Sequence, residues 1–180
     1  MIINYRTLSI SDFEQYSLLR ELALDTYPES FASTNIEEKD KRQDGFNSII
    51  HSEFNFFMGV FDNANLIGSV LFSREIKNKM KHKGNIFAMF LKTEYQGKGI
   101  ANKLLKETLN KAFNIDGINQ INLAVNASNS SAIKLYEKNG FKTYGFEKNS
   151  LFINNKYFDD LLMVLFRENY QNKEISKKEI

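Results

Sequence analysis

The sequence of 180 residues contains no cysteine, no tryptophan and a single proline. Without cysteine, the chain can form neither disulfides nor thiolate metal sites. Its two histidines, His51 and His82, are isolated from one another, which argues against a catalytic metal centre. We therefore expect a protein that uses no metal.

The chain also lacks a large excess of either charge, because its 24 Lys and Arg and its 22 Asp and Glu give a net charge of +2. Dedicated nucleic-acid-binding domains carry a much larger basic excess. No apolar run approaches the roughly 18 residues of a membrane span, and residues 1–6 do not resemble a signal peptide. We therefore expect a cytoplasmic protein with neither a nucleic-acid partner nor a membrane partner.

What the chain has in quantity is bulky apolar material, with 42% hydrophobic residues, 16 Phe and 8 Tyr. This composition supports a real core in a chain of this length. No repeat or linker divides the sequence. We expect a single domain over residues 1–170, followed by a polar and flexible tail at 171–180.

The first half predicts one strand, two helices and a hairpin. Alternating residues 2–7 predict a strand, and Ser11 with Glu14 form a capping box for a helix that ends near Pro28. Thr34 and Glu37 form a second capping box for a helix that reaches residue 49 or 50. Residues 54–61 and 66–74 predict an antiparallel hairpin. The first helix is expected to carry its apolar residues at Phe13, Leu18, Leu19 and Leu22.

The second half predicts a strand at 85–91, a helix from residue 100 to 113, a strand at 120–125 and a helix at 132–138. Asn139-Gly140 is typical of a left-handed helix C-terminus, and Asn154-Asn155 of a tight hairpin turn between strands at 142–153 and 157–166. The fold class is α+β: a mixed, largely antiparallel sheet of about seven strands, with helices on both faces.

A glycine-rich turn separates the strand at 85–91 from the helix that follows it. Gly97 and Gly99 permit backbone angles and close approach that a Cβ would forbid, so successive amides can converge on phosphate oxygens. Lys98 adds a positive charge, and the helix N-terminus adds bare amides. The turn therefore indicates a pyrophosphate site, although an ordinary strand-to-helix connection has the same short pattern.

Four lysines, at positions 77, 79, 81 and 83, lie close together in one predicted loop. They fit either a nucleic-acid patch, which would show salt-dependent affinity, or a solvated hairpin tip. We favour the solvated tip because no aromatic residues are interleaved with the lysines.

Three segments, in this order and spacing, resemble the GNAT superfamily of acyl-CoA-dependent N-acetyltransferases. Gln96-Gly97-Lys98-Gly99-Ile100-Ala101 matches the family's Gln/Arg-x-x-Gly-x-Gly/Ala loop. Residues 129–141 match its Asn-x-x-Ala-x-x-Leu-Tyr-x-x-x-Gly-Phe segment, and residues 157–165 are similar to its closing strand. The resemblance covers residues 2–166 and implies transfer of an acetyl group from acetyl-CoA to a primary amine, by direct attack through a tetrahedral intermediate.

The resemblance also implies roles for individual residues. Lys134 or Lys138 would meet the adenosine 3′-phosphate, unless these lysines are merely solvated. Tyr136 would protonate the leaving thiolate or donate a hydrogen bond to it. With ordinary pKa values, full proton transfer from tyrosine is uphill by about 2 kcal/mol. The cofactor-binding residues that it implies are Met89, Phe90, Leu91, Gln96, Gly97, Lys98, Gly99, Ile100, Ala101 and Asn129.

No general base can be assigned from the sequence. Family members that act on ribosomal-protein N-termini carry a glutamate where this chain has Ala124. Glu29, a water relay or an acceptor amine of low pKa could each serve instead. The acceptor itself stays open among small molecules, peptides and proteins.

Two further alternatives stay open at this point. Because a carboxylate base is missing, the chain could be a non-catalytic acyl-CoA-binding or interaction module that retains the fold. Aromatic strands near the C-terminus could pair between subunits as a homodimer or pack internally.

Overall fold

The computed structural model describes residues 1–170, so the tail expected at 171–180 lies outside the described residues. The strands are β1 (Ile3–Thr7), β2 (Phe56–Asp62), β3 (Asn65–Arg74), β4 (Lys83–Leu91), β5 (Gln120–Asn126), β6 (Lys142–Ile153) and β7 (Lys156–Phe166). The helices are α1 (Phe13–Thr26), α2 (Asn35–Lys39), α3 (Arg42–Ile50), α4 (Ile100–Phe113) and α5 (Ser130–Lys138). Short 3-10 turns occur at Ile10–Asp12, Pro28–Ser30, Asn78–Met80 and Thr93–Tyr95.

The strands form one mixed sheet of seven in the order β1-β2-β3-β4-β5-β7-β6. β4 and β5 run parallel, whereas β1–β2, β2–β3, β5–β7 and β6–β7 are antiparallel. The parallel pair needs a crossover connection, and α4 supplies it. The predicted α+β class with a mixed sheet of about seven strands is therefore confirmed.

The chain divides into two compact units. Among the described residues, the first unit contains residues 1–73 and 87–109, and the second contains residues 74–86 and 110–170. Strand β4 and helix α4 contribute residues to both units.

Aromatic rings fill the core of the first unit. Tyr16 lies 4.9 Å from Phe46 and 4.6 Å from Phe57 between ring centroids, and Phe46 stacks on Phe57 at 5.3 Å. Phe90 of β4 belongs to the same buried cluster. The core thus joins α1, α3 and β2 to the strand before the glycine turn.

The N-terminal end of α1 differs from the prediction. Ser9 and Asp12, not Ser11 and Glu14, form the capping box, and α1 begins at Phe13. Arg6 of β1 explains the choice, because its guanidinium donates two hydrogen bonds of 2.7 Å to the buried Asp12 carboxylate. Ser9 N–H also donates to that carboxylate at 2.7 Å. An ion pair between the helix cap and strand β1, six residues earlier, therefore decides where the helix starts.

Helix α1 carries the expected apolar residues Phe13, Leu18, Leu19 and Leu22, but not all of them are buried. Leu18 is 69% exposed and Leu22 is 44% exposed. The buried residues of the helix are Tyr16, Leu19, Ala23 and Leu24.

The helix predicted from Thr34 to residue 49 or 50 is divided into α2 and α3. Its cap is confirmed, since Glu37 N–H donates to Thr34 Oγ1 at 3.3 Å and Thr34 N–H donates to the Glu37 carboxylate at 2.7 Å. After the division, the buried Arg42 donates to the carbonyl and hydroxyl oxygens of Ser17 on α1. The break between α2 and α3 is thus accompanied by a tertiary contact between Arg42 and α1.

Most of the second half agrees with the prediction. The apolar face of α4 is buried as expected, and Gly140, Asn154 and Asn155 have the positive φ angles expected at their turns. Strand β4 begins at Lys83, two residues before the predicted start, and α5 begins at Ser130 rather than at Ala132. The face of α4 consists of Ile100, Leu104, Leu105, Leu109, Ala112 and Phe113.

Candidate active site

The glycine turn has the backbone conformation that the sequence predicts. Gly97 has a φ of +72° and Gly99 a φ of +78°, values that residues with a Cβ rarely adopt. A Cβ built on either glycine meets no atom within 4 Å. The turn is therefore bordered by open space on the side to which these positions point.

Free backbone donors follow the turn. The first helical hydrogen bond of α4 runs from Lys103 N–H to the Gly99 carbonyl at 3.1 Å. The N–H groups of Ile100 and Ala101 lie before it and therefore have no acceptor within the helix. These donors lie at the positive end of the helix dipole. Two glycines of positive φ, open space and a helix N-terminus together fit a pyrophosphate group.

Hydrogen bonds hold the turn against its own unit. Gln96 Nε2 donates to the Leu91 carbonyl at 3.0 Å, which ties the turn to the end of β4. Tyr95 donates its hydroxyl hydrogen to Asp62 at 3.0 Å. Lys98 Nζ donates to the Glu94 carbonyl at 2.8 Å and lies 5.6 Å from the Tyr95 ring centroid. Gln96 thus has a positioning contact that the sequence does not reveal.

Strand β4 contains an irregularity that sequence reasoning missed. Ala88 has a φ of +50° inside the strand, a conformation that costs of order 1–3 kcal/mol for a residue with a Cβ. Phe90 and Leu91, which follow it, are both buried, although successive strand residues normally alternate between faces. An alanine gives no sequence signal for such a conformation.

Gly68 of β3 is the residue in the sequence that could have indicated a close approach of another backbone segment to this strand. A Cβ on Gly68 would lie 2.8 Å from the Phe90 carbonyl oxygen and 2.8 Å from Leu91 Cδ1. The backbone of β4 therefore passes unusually near β3 at the residues expected to contact the cofactor. Met89, the third of these residues, is half-buried.

An acidic loop lies beside the same residues of the first unit. The Tyr27 ring is 6.1 Å from the Phe90 ring, and the Tyr27 hydroxyl is 3.3 Å from Thr93 Oγ1. Pro28–Ser30 follows directly and includes Glu29. The loop is therefore placed next to the end of β4 and the start of the glycine turn.

An ion pair fixes the far side of this loop. The Arg20 guanidinium lies 4.6 Å from the Phe31 ring centroid and donates to both carboxylate oxygens of Glu38, at 3.0 and 2.6 Å. The loop is thus anchored at both ends, by Tyr27 and by Phe31.

In the second unit, Asn129 caps helix α5. Its side-chain oxygen accepts a hydrogen bond of 3.0 Å from Ala132 N–H. The buried Asn126 holds the preceding turn, because its side-chain oxygen accepts from Ser128 N–H at 2.9 Å. The sequence analysis predicted neither contact, although asparagine is among the residues preferred at a helix N-cap.

Tyr136 lies on the last turn of α5 and is 8% exposed. Its carbonyl accepts from Asn139 N–H at 2.9 Å and Phe141 N–H at 3.1 Å, and its ring meets the Phe141 ring edge-on at 5.7 Å. Burial raises the pKa of Tyr136 to about 12. The hydroxyl therefore stays protonated and serves as a hydrogen-bond donor across the pH range in which proteins work.

Three further residues considered in the sequence analysis lie at exposed positions. Ala124 is exposed on β5 opposite Leu162 of β7, and Lys134 and Lys138 are exposed on α5. The structure joins Met89–Leu91 to the glycine turn within the first unit, and it joins Asn129 to Tyr136 through α5 within the second.

Residues 1–170 contain no group of three or more metal-binding side chains that could hold an ion. None of the helices in this part of the chain has both the length and the apolar character needed to cross a bilayer.

Comparisons with known proteins agree with this geometry. The model of the Acetyltransferase (GNAT) family matches residues 16–141. A spermidine N(1)-acetyltransferase of Vibrio cholerae is 32% identical over 138 residues, which cover 76% of this chain and 78% of that protein. N-alpha-acetyltransferase 30 of Schizosaccharomyces pombe is 30% identical over 95 residues, which cover 53% of this chain and 63% of that protein.

A solved structure shares the fold. Spermidine N-acetyltransferase from Vibrio cholerae in complex with CoA and spermine superposes with a TM-score of 0.79 and 26% identity, over 94% of this chain and 98% of that chain. The family model, the relatives and the fold thus point to the same family. The chain belongs to the GNAT family and is an N-acetyltransferase that takes its acetyl group from acetyl-CoA and transfers it to an amine.

Proposed function

We propose that the acceptor is a linear polyamine of the spermidine type, acetylated on a terminal primary amine. The observation that carries this proposal is the acidic loop beside Phe90 and Thr93. The similarity to spermidine N-acetyltransferase of Vibrio cholerae, in sequence and in structure, supports the same class.

The charge around this loop suits a polycation. Residues 21–44 contain seven carboxylates and three basic residues, although the whole chain has a net charge of +2. Glu29 lies in the middle of this segment, in the turn that Tyr27 holds against Phe90 and Thr93. A concentration of negative charge attracts a flexible polycation more strongly than it attracts a monoamine or a neutral peptide.

Acetyl-CoA, when bound, supplies an acetyl group activated as a thioester. We assign its pyrophosphate to the turn from Gln96 to Ala101, with the backbone N–H groups of Gly97, Lys98, Gly99, Ile100 and Ala101 as donors. The N–H of Gln96 already donates to the Thr93 carbonyl at 3.1 Å, so Gln96 contributes to the turn by positioning it. Backbone groups of Met89, Phe90 and Leu91 are proposed to hold the pantetheine arm and to stabilise the oxyanion. The open space beside Gly97 and Gly99 and the irregular backbone at Ala88 support these assignments.

Two residues at the start and the last turn of α5 have proposed roles as well. Asn129 is proposed to contact the cofactor while its side-chain oxygen caps α5. Tyr136 is proposed to donate a hydrogen bond to the departing sulfur. With a pKa of about 12 for Tyr136 and about 8.5 for a thiol, full proton transfer is uphill by about 5 kcal/mol. Hydrogen bonding therefore explains the role of Tyr136 better than proton transfer does.

The proton of the attacking amine needs a different route. Because residue 124 is an alanine, we propose that this proton leaves through water, with Glu29 binding the polyamine chain rather than serving as the base. An alkylamine with a pKa near about 10.4 is mostly protonated at neutral pH. The rate should then rise with pH up to the pKa of the bound amine.

We further propose that residues 1–170 act as one catalytic domain, because the matched range 16–141 draws on both units. We also propose that the protein acts in the cytoplasm.

A thiol-release assay across a panel of acceptors tests the polyamine proposal. Spermidine, a monoamine, an alanine-starting peptide and an amino acid are compared at one acetyl-CoA concentration, after calorimetry has established acetyl-CoA binding. We expect kcat/KM to be at least tenfold higher for spermidine. A peptide as the best acceptor would overturn the polyamine proposal, and acetyl-CoA binding without turnover on any amine would favour the non-catalytic module.

A matched pair of variants then tests the acidic loop. Glu29→Gln is expected to raise the KM for spermidine several-fold and to leave the KM for the monoamine unchanged. Asp116→Asn removes an exposed carboxylate from the second unit and serves as the control. Equal effects of the two variants on the KM for spermidine would contradict the proposal that Glu29 lies in the acceptor site.

A further inference from the structure

Tyr5 of β1 and Asp62 of β2 lie at the edge of the sheet and contact the chain on both sides of the glycine turn. Asp62 Oδ2 accepts a hydrogen bond of 3.0 Å from the Tyr95 hydroxyl, directly before the turn. The Tyr5 hydroxyl donates to the Ile100 carbonyl, directly after the two glycines, at 3.5 Å. The two strands therefore hold the backbone at both ends of residues 96–99.

The strand register explains why Tyr5 and Asp62 act together. In the antiparallel pair of β1 and β2, Tyr5 lies opposite Val60 and Ile3 lies opposite Asp62. Residues that lie directly opposite each other point to the same face of a sheet, and so do residues two apart along one strand. Tyr5 and Asp62 therefore share one face of the sheet edge.

Asp62 is itself held in place by two further donors. Its Oδ1 accepts hydrogen bonds from Ile2 N–H and from Asn63 Nδ2, both at 3.1 Å. These two donors and the Tyr95 hydroxyl occupy both oxygens of one carboxylate, which fixes the direction of Oδ2. An amide at position 62 could not replace the carboxylate, because its single oxygen accepts on one side only and its NH2 group would meet a donor on the other.

Tyr5 makes a second contact with the beginning of α4. Lys103 Nζ lies 4.9 Å from the centroid of the Tyr5 ring. The N–H of the same lysine makes the first helical hydrogen bond, to the Gly99 carbonyl. Tyr5 therefore contacts both the backbone and a side chain of the helical turn that follows the glycines.

The conformation of the turn depends on such external contacts. Gly97 and Gly99 are bordered by open space, and glycine loses more conformational freedom on ordering than any other residue. If the turn became ordered only when a ligand binds, the entropy cost would reduce the affinity for that ligand. Contacts that order the turn beforehand remove this cost from the binding step.

We infer that Asp62 and Tyr5 are positioning residues for acetyl-CoA, which hold the glycine turn in its phosphate-binding conformation before the cofactor binds. Asp62 acts through the Tyr95 hydroxyl, and Tyr5 acts through the Ile100 carbonyl. The inference rests on the proposed assignment of the pyrophosphate to this turn. Charge alone predicts the opposite effect for Asp62, because a carboxylate repels an anionic cofactor.

Calorimetry with acetyl-CoA on the full chain tests the inference. We expect Tyr95→Phe and Asp62→Asn each to raise the Kd about tenfold, because each removes a hydrogen bond between a hydroxyl and a carboxylate. The double variant should raise the Kd no further than either single variant, since both changes remove the same bond. Tyr5→Phe should raise the Kd about threefold, because its hydrogen bond is longer and its acceptor is uncharged.

Steady-state kinetics separates positioning of the cofactor from a role in the chemical step. In Tyr95→Phe we expect the KM for acetyl-CoA to rise with the Kd, whereas kcat at saturating acetyl-CoA stays within about twofold of the wild type. Tyr157→Phe removes an exposed hydroxyl and Asp116→Asn removes an exposed carboxylate, both in the second unit. These two controls should leave the Kd and the KM unchanged.

Two outcomes would overturn the inference. A lower free energy of unfolding in urea with an unchanged Kd would mean that Asp62 and Tyr95 only stabilise the fold. A tighter Kd in Asp62→Asn would mean that its charge, and not its hydrogen bond, determines the effect. Because Tyr95→Phe keeps the aromatic ring, it tests the same bond with little risk of misfolding.

Gly99→Ala, measured beside these variants, distinguishes failure of the inference from failure of the pyrophosphate assignment. If Gly99→Ala weakens acetyl-CoA binding and the variants at Asp62, Tyr95 and Tyr5 do not, the positioning role is refuted and the assignment of the turn stands. If none of these changes weakens binding, both the inference and the assignment are refuted.

Discussion

Replacing Tyr136 with phenylalanine removes one hydroxyl group from a side chain that is 8% exposed on the last turn of α5. The ring keeps its edge-on contact with Phe141, and the backbone keeps the hydrogen bonds from Asn139 and Phe141 N–H. The variant therefore isolates the hydroxyl from the packing of the helix.

The size of the effect follows from what the hydroxyl can do. Because the pKa of Tyr136 is raised to about 12, giving its proton to a thiolate costs about 5 kcal/mol. A hydrogen bond to a charged group is worth about 1.5–3 kcal/mol. If the hydroxyl stabilises the departing sulfur by such a bond, kcat falls roughly 10- to 150-fold. The dissociation constant for acetyl-CoA should change less than twofold.

The pH profile separates this role from acid catalysis by a titrating tyrosine. A group whose folded pKa is raised to about 12 is neutral at every pH below that value and loses its proton only above it. The rise of kcat between pH 6 and 10 should therefore keep its midpoint in Tyr136→Phe. That rise belongs to the acceptor amine, which must lose a proton before it attacks.

A thiol-release assay with saturating acetyl-CoA measures kcat, and calorimetry measures acetyl-CoA binding. Tyr144→Phe, at an exposed tyrosine on β6, is the matched control and should keep full activity. Wild-type kcat in Tyr136→Phe would refute the role. A falling limb in the wild-type profile below pH 10 that disappears in the variant would show that the hydroxyl itself titrates in this range.

Three further changes test the turn, the strand and the α1 cap. Gly99→Ala places a Cβ at a φ of +78°, and the resulting strain of about 1–2 kcal/mol should weaken acetyl-CoA binding roughly tenfold by calorimetry while leaving the helical content unchanged; unchanged affinity would exclude the turn as the binding site. Gly68→Ala brings a Cβ to 2.8 Å from the Phe90 carbonyl and should lower the free energy of unfolding in urea by about 1–3 kcal/mol. An unchanged free energy of unfolding would mean that β4 can move away from the added Cβ at little cost. The Arg6 hydrogen bonds hold the pKa of Asp12 at about 2, below its value of 3.8 in the unfolded chain, so its stabilisation is present above pH 4 and is lost as pH falls through 2. Asp12→Asn should therefore cost about 2 kcal/mol at pH 7 and much less at pH 2, and an equal cost at both would contradict the linkage.

Elements with strong local signals were predicted well. Helix α4 has six apolar residues at helical spacing, and all six are buried. Asn154 and Asn155 adopt the positive φ angles of a tight turn because asparagine tolerates them. The glycine turn was found for the same reason, since Gly97 and Gly99 are the residues that a positive φ requires.

Elements that depend on distant partners were predicted less well. The start of α1 was misplaced because Arg6, on a neighbouring strand, selects Asp12 over Glu14. The apolar Leu18 of α1 is exposed, whereas the aromatic core at Phe46 and Phe57 buries Tyr16. Local patterns carry no information about either partner.

Local patterns were therefore enough to predict the order of strands and helices and the backbone conformation of the glycine turn, and the resemblance of three segments indicated the family to which the chain belongs. The first two follow from spacing and from the backbone freedom of particular residue types, which are properties of short segments. The positive φ of Ala88, the contact of Tyr27 with Phe90 and the high pKa of Tyr136 were decided only by the tertiary structure. Each of them arises from the packing of groups far apart in the chain, where close approach imposes backbone strain and burial removes the water that would stabilise a charge.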